Sequence, residues 1–414
     1  MKRASIAVAG CGPAGLSAAL FLRGQGHDVL LIERFDAPKP LGSGLLLQAT
    51  GLGVLAQLGL SDAIHTRGAR IARLDGRLAA SGRQVLEVEY SALAPEAYGL
   101  AVHRASLFSV LHQDVADAGI PIRTGYEVVC TRLDGSRRFV VSATGEVLGP
   151  FDLVVDALGS RSPLPADVFG RSFVNPLPYG ALWATLQWPD DAPYSGDALE
   201  QRYEAARIMA GILPIGRRDP MGPKEVAFFW SLKASQFDDW RTGGLEGWKA
   251  EVLRIWPATE PVLAQIHDPE QLAFARYGHH TLPRPIGPGI AFIGDCAHSA
   301  SPQLGQGANM ALLDAAALAE AFAGADDMAT VLGRFAAARR RHIMIYQALT
   351  WLLTPFYQSD GRALPMLRDH LLAPLSKIPA VRRLLARLVA GTLIPPVVRA
   401  SDMPLPALAP GRLE

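Results

Sequence analysis

The stretch Ile6-Ala7-Val8-Ala9-Gly10-Cys11-Gly12-Pro13-Ala14-Gly15 decides the fold. Its four leading apolar residues read as a short buried strand. Ala14–Arg23 reads as a helix, and Val29–Ile32 as a second strand, so the start of the chain is a βαβ unit. The turn has the form G-x-G-x-x-G. Gly10 permits the tight strand-to-helix turn, Gly12 leaves room for a pyrophosphate, and Gly15 permits close packing of helix on sheet. Pro13 and Ala14 open the helix, whose N-terminal N–H groups and positive dipole end suit phosphates. Glu33 closes the second strand 18 residues after Gly15, near the offset of an acid that binds a ribose hydroxyl. An acid rather than a basic residue there favours FAD or NAD over NADP at this site, and Arg34 beside it is taken as a further cofactor contact. The same glycines and Pro13 break the apolar run behind Met1-Lys2-Arg3, so the run is not read as a signal peptide.

The rest of the 414 residues sets wide bounds. An apolar share of 49 % excludes global disorder, and a net charge of +1 argues against a general nucleic-acid binder. Cys11, Cys130 and Cys296 form neither a metal-type pair nor a disulfide framework, which points to a reducing, cytoplasmic setting. No stretch reaches the roughly 18–20 uninterrupted apolar residues of a membrane span. Ile343–Thr354 is apolar but short, and reads as a buried or partner-facing helix rather than one lying on a membrane. No membrane-surface contact is expected.

Along the chain, helical patterns are predicted at Val54–Leu58 and Ser106–Ala118, and strands at Phe139–Ala143 and Leu153–Asp156. Ala181–Trp188, Arg207–Ile215 and Glu225–Leu232 read as antiparallel strands with little helix between them. Helix returns at Met310–Phe322, and Pro355, Pro365, Pro374 and Pro379 are expected to cut the tail into short helices. The expected class is α/β, α+β overall. A Rossmann-like nucleotide-binding domain (1–75, 100–175, 277–345) is interrupted by a β-rich insertion (76–99, 176–276) and followed by a helical tail (346–414).

A second glycine loop is more specific: Gly294-Asp295-Cys296-Ala297-His298-Ser299-Ala300-Ser301-Pro302-Gln303-Leu304-Gly305-Gln306-Gly307-Ala308-Asn309, then Asp314-Ala315. An acid follows a strand, where it can accept from a sugar hydroxyl, and two glycines precede a helix. Here the chain strongly resembles the FAD-dependent aromatic hydroxylases, single-component flavoprotein monooxygenases with the p-hydroxybenzoate hydroxylase fold. Their pattern is G-D-A-A-H-x-x-x-P-x-x-G-Q-G-x-N followed by Asp-Ala, and only Cys296 departs from it. The resemblance covers roughly the first 345 residues. It implies that Asp295 holds the ribityl chain of FAD, that the Gly305-Gln306-Gly307-Ala308-Asn309 loop faces the isoalloxazine, and that Pro302 lies near substrate. Arg104 resembles the family's pyrophosphate-binding arginine, Gly42-Ser43-Gly44 its flavin-edge loop, and Val128 a backbone adenine contact. His298 is read as a structural hydrogen-bonder, and Cys11 and Cys296 as buried fillers.

The family's third motif, D-G-x-x-S-x-x-R, is tied to pyrophosphate and NAD(P)H. In this chain Gly159 and Ser162 fit it, but Leu158 replaces the Asp and Pro165 the Arg. Reduction by NADPH or NADH is therefore expected to be slow, altered in coenzyme preference, or replaced by another donor. Asp156 or Arg161 are the candidates to compensate.

The insertion is expected to roof an apolar pocket. Alternation splits Val226, Phe228 and Trp230 from Ala227, Phe229 and Ser231, and Met209, Phe228 and Trp230 are taken as substrate contacts with Pro302. No protein nucleophile is required, so no catalytic residue is assigned. The resemblance implies hydroxylation of an aromatic or heteroaromatic small molecule with O₂ through a C4a-hydroperoxide of the reduced flavin, by a monomer or homodimer. An FAD-dependent reductase or dehydrogenase without oxygen insertion, and a non-catalytic flavin-binding protein, stand beside it. Halogenation is set aside, since no lysine occurs between Lys39 and Lys224 and the G-W-x-W-x-I-P segment is missing.

Overall fold

The computed structural model describes residues 3–37 and 43–395. Gly42 of the expected flavin-edge loop and the end of the predicted tail lie outside them. The chain opens with β1 (Ser5–Ala9), α1 (Pro13–Gly24) and β2 (Asp28–Ile32). β3 (Gly44–Leu47) pairs antiparallel with β4 (Gly99–His103), which runs straight into α2 (Arg104–Asp117). After β5 (Leu153–Asp156) the chain enters the insertion as β6 (Pro176–Gln187), β7 (Ala198–Glu204), β8 (Ile208–Gly216), β9 (Glu225–Lys233), α3 (Leu245–Ile255) and β10 (Ala273–Gly278). It returns with β11 (Ile290–Phe292), then α4 (Gly307–Phe322), α5 (Met328–Tyr357) and α6 (Pro379–Val389).

β1 pairs in parallel with β2 on one side and β5 on the other, and β5 pairs with β11. These central strands are buried on both faces. Ile6 and Val8 pack under α1 and α4, while Ala7 and Ala9 meet Val128, Val140 and Phe151 of a small three-stranded sheet. Burial on both faces is why they read as continuous apolar runs rather than alternating ones. The strand order reverses beside β1, which places a crevice beyond the carboxyl ends of β1 and its neighbours.

The second large sheet has the order β10-β6-β9-β8-β7, extended by strands Arg73–Leu78 and Gln84–Glu89. It is antiparallel except where β7 runs parallel to Arg73–Leu78. That pair corrects the expectation of a purely antiparallel sheet, and the strand at 73–78 spans the boundary drawn at 75/76. No helix interrupts β6 to β9, as expected; helix enters only between β9 and β10. Phe237–Gly243, α3 and Glu260–Leu263 form a helical layer on the outer face of the sheet.

Pro355 does not end α5, which runs for 30 residues across position 346, where the tail was drawn to begin. The proline sits in the last turn, where one lost N–H bond is cheap. Thr350 and Thr354 hydroxyls donate to the carbonyls of Tyr346 and Thr350 (2.7 and 2.6 Å). Of the later prolines, Pro379 opens the helix Pro379–Val389 and Pro374 lies one residue before a helical run ends, while Pro365 sits inside that run, which continues from Ala363 to Leu375. Arg368, fully buried, anchors this region: its guanidinium donates to the carbonyls of Phe356 (2.9 Å) and Ala205 (3.2 Å) and stacks on Tyr203 and Tyr357.

Candidate active site

The first glycine loop has the shape its sequence requires. Gly10 has φ +107°, and a Cβ there would lie 2.5 Å from the Ala157 carbonyl oxygen. A Cβ on Gly15 would lie 1.9 Å from the Gly10 oxygen. At Gly12, the N-cap of α1, nothing stands within 4 Å of a Cβ, so that side of the turn is open. The Glu33 carboxylate accepts from the Cys11 N–H (3.1 Å) and the Phe35 N–H (3.2 Å), one bond to each oxygen. Each oxygen keeps a lone pair free for a hydroxyl. Arg34 is exposed over the Phe35 ring. Val128 is buried in the small sheet, within reach of Glu33 through the Tyr126 N–H, which donates to the Glu33 carbonyl.

The second loop closes on the first. A Cβ on Gly294 would meet Ala14 at 3.1 Å, and Asp295 is exposed, its carboxylate 3.8 Å from the Cβ position of Gly307. Gly159 and Gly305 have open space where a Cβ would stand. Pro302 is exposed at the start of a short 3₁₀ turn. The side chains of Gln306 and Asn309 turn inward, away from the open side of the loop. Asn309 is fully buried, accepts from the Gln48 N–H (2.8 Å) and donates to the carbonyls of Leu46 and Gly305 (both 3.1 Å). Gln306 is turned back to the Val389 carbonyl (2.6 Å). The start of α4 is left to meet a ligand through its backbone rather than through these two side chains.

Arg104 stands at the start of α2, exposed and without an ion pair among the described residues. Its charge acts on Tyr277, whose hydroxyl burial pushes up to about 12 against the hydrogen bond from Trp183 Nε1 (3.0 Å) and the nearby arginine. Gly44 packs against Ala227 and Ile215 of the insertion, and Ser43 shares a hydroxyl–hydroxyl hydrogen bond with Thr185 (3.2 Å). The flavin-edge segment therefore meets the inner face of the second sheet. A cavity of about 310 Å³ opens beside this seam, lined by Thr185, Gln187, Arg218 and Glu225. A larger one, about 640 Å³, lies at the sheet edge between Tyr203 and Arg362 and touches none of the residues predicted from sequence.

The alternation was read correctly, but the wrong set was chosen. Phe228 and Trp230, 0 % and 2 % exposed, point to the outer face and pack against Trp248 of α3. They do not face the glycine loops. The inner face carries Met209 with Phe229, Tyr203, Trp183 and Tyr277; the Trp183 and Phe229 rings are 4.7 Å apart.

Leu158 packs partly buried against the small-sheet core, and Pro165 is buried in the short helix Leu164–Phe169. Asp156 does not replace the missing carboxylate. It is fully buried, its oxygens accept from the Leu158 N–H (3.0 Å) and Ser162 Oγ (2.6 Å), and burial raises its pKa to about 6. Arg161 is exposed. Burial pushes the Cys11 thiol up to about 12 and that of Cys296 well above its ordinary value, so both stay protonated.

A buried charged node escaped sequence reading. Asp314 accepts from the Gly294 N–H (2.8 Å) and Arg339 Nε (2.7 Å) and pairs with His298 Nε2 (2.5 Å). Despite burial, His298 and Arg339 hold its carboxyl far below the usual range. Two of its members belong to the second motif. Arg339 comes from α5, and no spacing rule points to it. The node clamps the Gly294–Asp295 turn to α4 and α5. The C-terminal region adds further ties, with Ser301 Oγ on Thr354 Oγ1 (2.6 Å) and Gly391 against Thr50 and Gln306.

The donor set fits FAD: open glycine turns at a helix N-terminus, an acid at each of two strand ends, and an unpaired arginine between them. Residues 3–146 match the family described as "FAD binding domain". The chain is 27 % identical over 343 residues to 3-amino-4-hydroxybenzoate 2-monooxygenase of Streptomyces cremeus, covering 76 % of this chain and 77 % of that one. It is 33 % identical over 227 residues to menaquinone reductase of Mycobacterium tuberculosis, covering 51 % and 52 %. The structure of Klebsiella pneumoniae HpxO complexed with FAD and uric acid superposes with a TM-score of 0.79 at 21 % identity, covering 94 % and 98 %. Two glycine loops closed on one crevice, a sheet laid over it and these likenesses agree: the chain carries an FAD binding domain, is similar over most of its length to an aromatic monooxygenase, and shares the fold of an FAD-bound enzyme.

Proposed function

We propose that this flavoprotein monooxygenase hydroxylates a small aromatic or heteroaromatic ring held between the Pro302 turn and the inner face of the second sheet. The observation that carries this is the meeting of the two glycine loops, Gly294 against Ala14, below a sheet face with aromatic side chains. In this reading Gly12 and the α1 N-terminus take the pyrophosphate with Arg104, Glu33 takes the adenosine ribose, and Val128 lies along the adenine. Asp295 holds the ribityl chain, and the backbone of Gly305, Gly307 and Ala308 faces the flavin ring. Bound and reduced, FAD supplies the activation of O₂ and the transfer of one oxygen atom to an electron-rich ring. The protein orients that ring and keeps water away from it. Trp183, Phe229 and Met209 give an apolar wall, and Tyr277, protonated at neutral pH, offers a hydroxyl that can meet a ring substituent. No protein nucleophile is needed.

A second reading, an FAD-dependent reductase, draws on the likeness to menaquinone reductase and on Leu158 in the third motif. One experiment separates them. The holoenzyme is mixed anaerobically with NADPH or NADH and a panel of phenols and heteroaromatic acids while the flavin band is followed, and air containing ¹⁸O₂ is then admitted. Ligand-stimulated bleaching followed by ¹⁸O in the product supports the hydroxylase. Reduced product without ¹⁸O supports the reductase. Protein that takes up no FAD overturns both.

A further inference from the structure

We infer that the C-terminal helical region is a docking face for an anionic phospholipid surface. Ten of the fifteen large apolar side chains exposed among the described residues fall between positions 344 and 384. They follow helical spacing. Met344, Trp351 and Leu352 form a stripe along α5, and Leu367, Leu371 and Leu375 form another over the next turns. Of Ile343–Thr354, read as a buried or partner-facing helix, Ile343, Tyr346, Gln347 and Thr350 are buried while Trp351 is 65 % exposed. No helix among the described residues is long and apolar enough to cross a membrane, so contact would be at the surface.

Charge selects the partner. Arg340, Arg341, Arg362, Lys377, Arg383 and Arg387 are exposed in the same region and make no ion pair among the described residues. Between 340 and 395 there are only two acids, Asp360 and Asp369, and both are already paired, with Lys233 and Arg368. A two-fold dimer through this face would set the same cations against themselves. Anionic headgroups would neutralise them while the acyl boundary takes the apolar stripes. The face sits close to the site: Thr354, three residues beyond Trp351, holds Ser301 beside Pro302.

The test is flotation of the yellow holoenzyme with phosphatidylcholine vesicles, with and without phosphatidylglycerol, at low and high salt, beside sedimentation velocity without lipid. The expected result is flotation only with phosphatidylglycerol, reversed by salt. R383Q/R387Q should weaken partition roughly thirtyfold, from about fivefold per surface cation. W351S/L371Q/L384Q, all at exposed positions, should abolish flotation while retaining bound FAD. Protein that stays at the bottom, or floats equally with neutral vesicles, overturns the inference. A dimer dissolved by the triple substitution would assign the face to a second copy instead.

Discussion

Replacing His342 with glutamine should remove about 2 kcal/mol of the acid sensitivity of the fold between pH 7 and pH 5. His342 lies on α5 with its ring 4.5 Å from that of Tyr346, and its Nε2 meets the Gly391 carbonyl at 3.2 Å. Burial, reinforced by the charge of Arg339, lowers its pKa from 6.5 to about 3. The unfolded chain takes up a proton as pH falls through the ordinary value of about 6.5, and the folded chain does not until near 3. The stability held in neutral His342 is therefore complete above about 6.5 and is lost progressively below it. At pH 5 the unfolded imidazole is almost wholly protonated and the folded one is not, so the loss from pH 7 is about 2 kcal/mol. Because the folded value lies well below pH 5, the ordinary histidine value sets this figure, and the depth of the depression hardly changes it. The assay is urea unfolding at both pH values with free FAD held constant, since a bound cofactor adds its own stabilisation. The wild type should lose about 2 kcal/mol more than His342→Gln. Equal losses would refute the argument and place the sensitivity at another buried histidine.

Other outcomes follow from the site. Gly12→Ala places a Cβ in open space, so the apoprotein should melt as the wild type does, while FAD affinity falls at least about tenfold in a fluorescence titration; unchanged affinity would remove the pyrophosphate from this turn. Phe228→Ala should cost about 3–5 kcal/mol in denaturant unfolding with little change in substrate KM. Trp183→Ala should do the reverse, raising KM more than it destabilises, and steady-state kinetics beside denaturation curves would expose a swap. Leu158→Asp should speed anaerobic bleaching of the flavin by NADPH in stopped flow; an unchanged rate would free Leu158 of blame for slow reduction.

How much was legible depended on the range of the interaction. Gly10, Gly15 and Glu33 were readable because their roles are set within one βαβ turn, where a missing Cβ or a nearby carboxylate acts on its own neighbours. Gln306 and Asn309 carry the right motif letters, yet their side chains are spent on Val389 and Gln48, partners 83 and 261 positions away. Leu158 was recognisable as a departure from the pattern, but only the structure shows that the nearby carboxylate of Asp156 is buried and committed to the Leu158 N–H and Ser162 Oγ.

Sequence by itself determined the class of fold, the dinucleotide turn, the second flavin loop and the departure in the third motif, because each rests on backbone geometry and local spacing. Tertiary structure alone decided which face of β9 looks toward the flavin loops, since a period of two names two faces without choosing between them. It alone brought Arg339 to Asp314, carried α5 through Pro355 and left the C-terminal stripes exposed. Those outcomes depend on which distant surface arrives to cover a side chain, and no local pattern encodes that arrival.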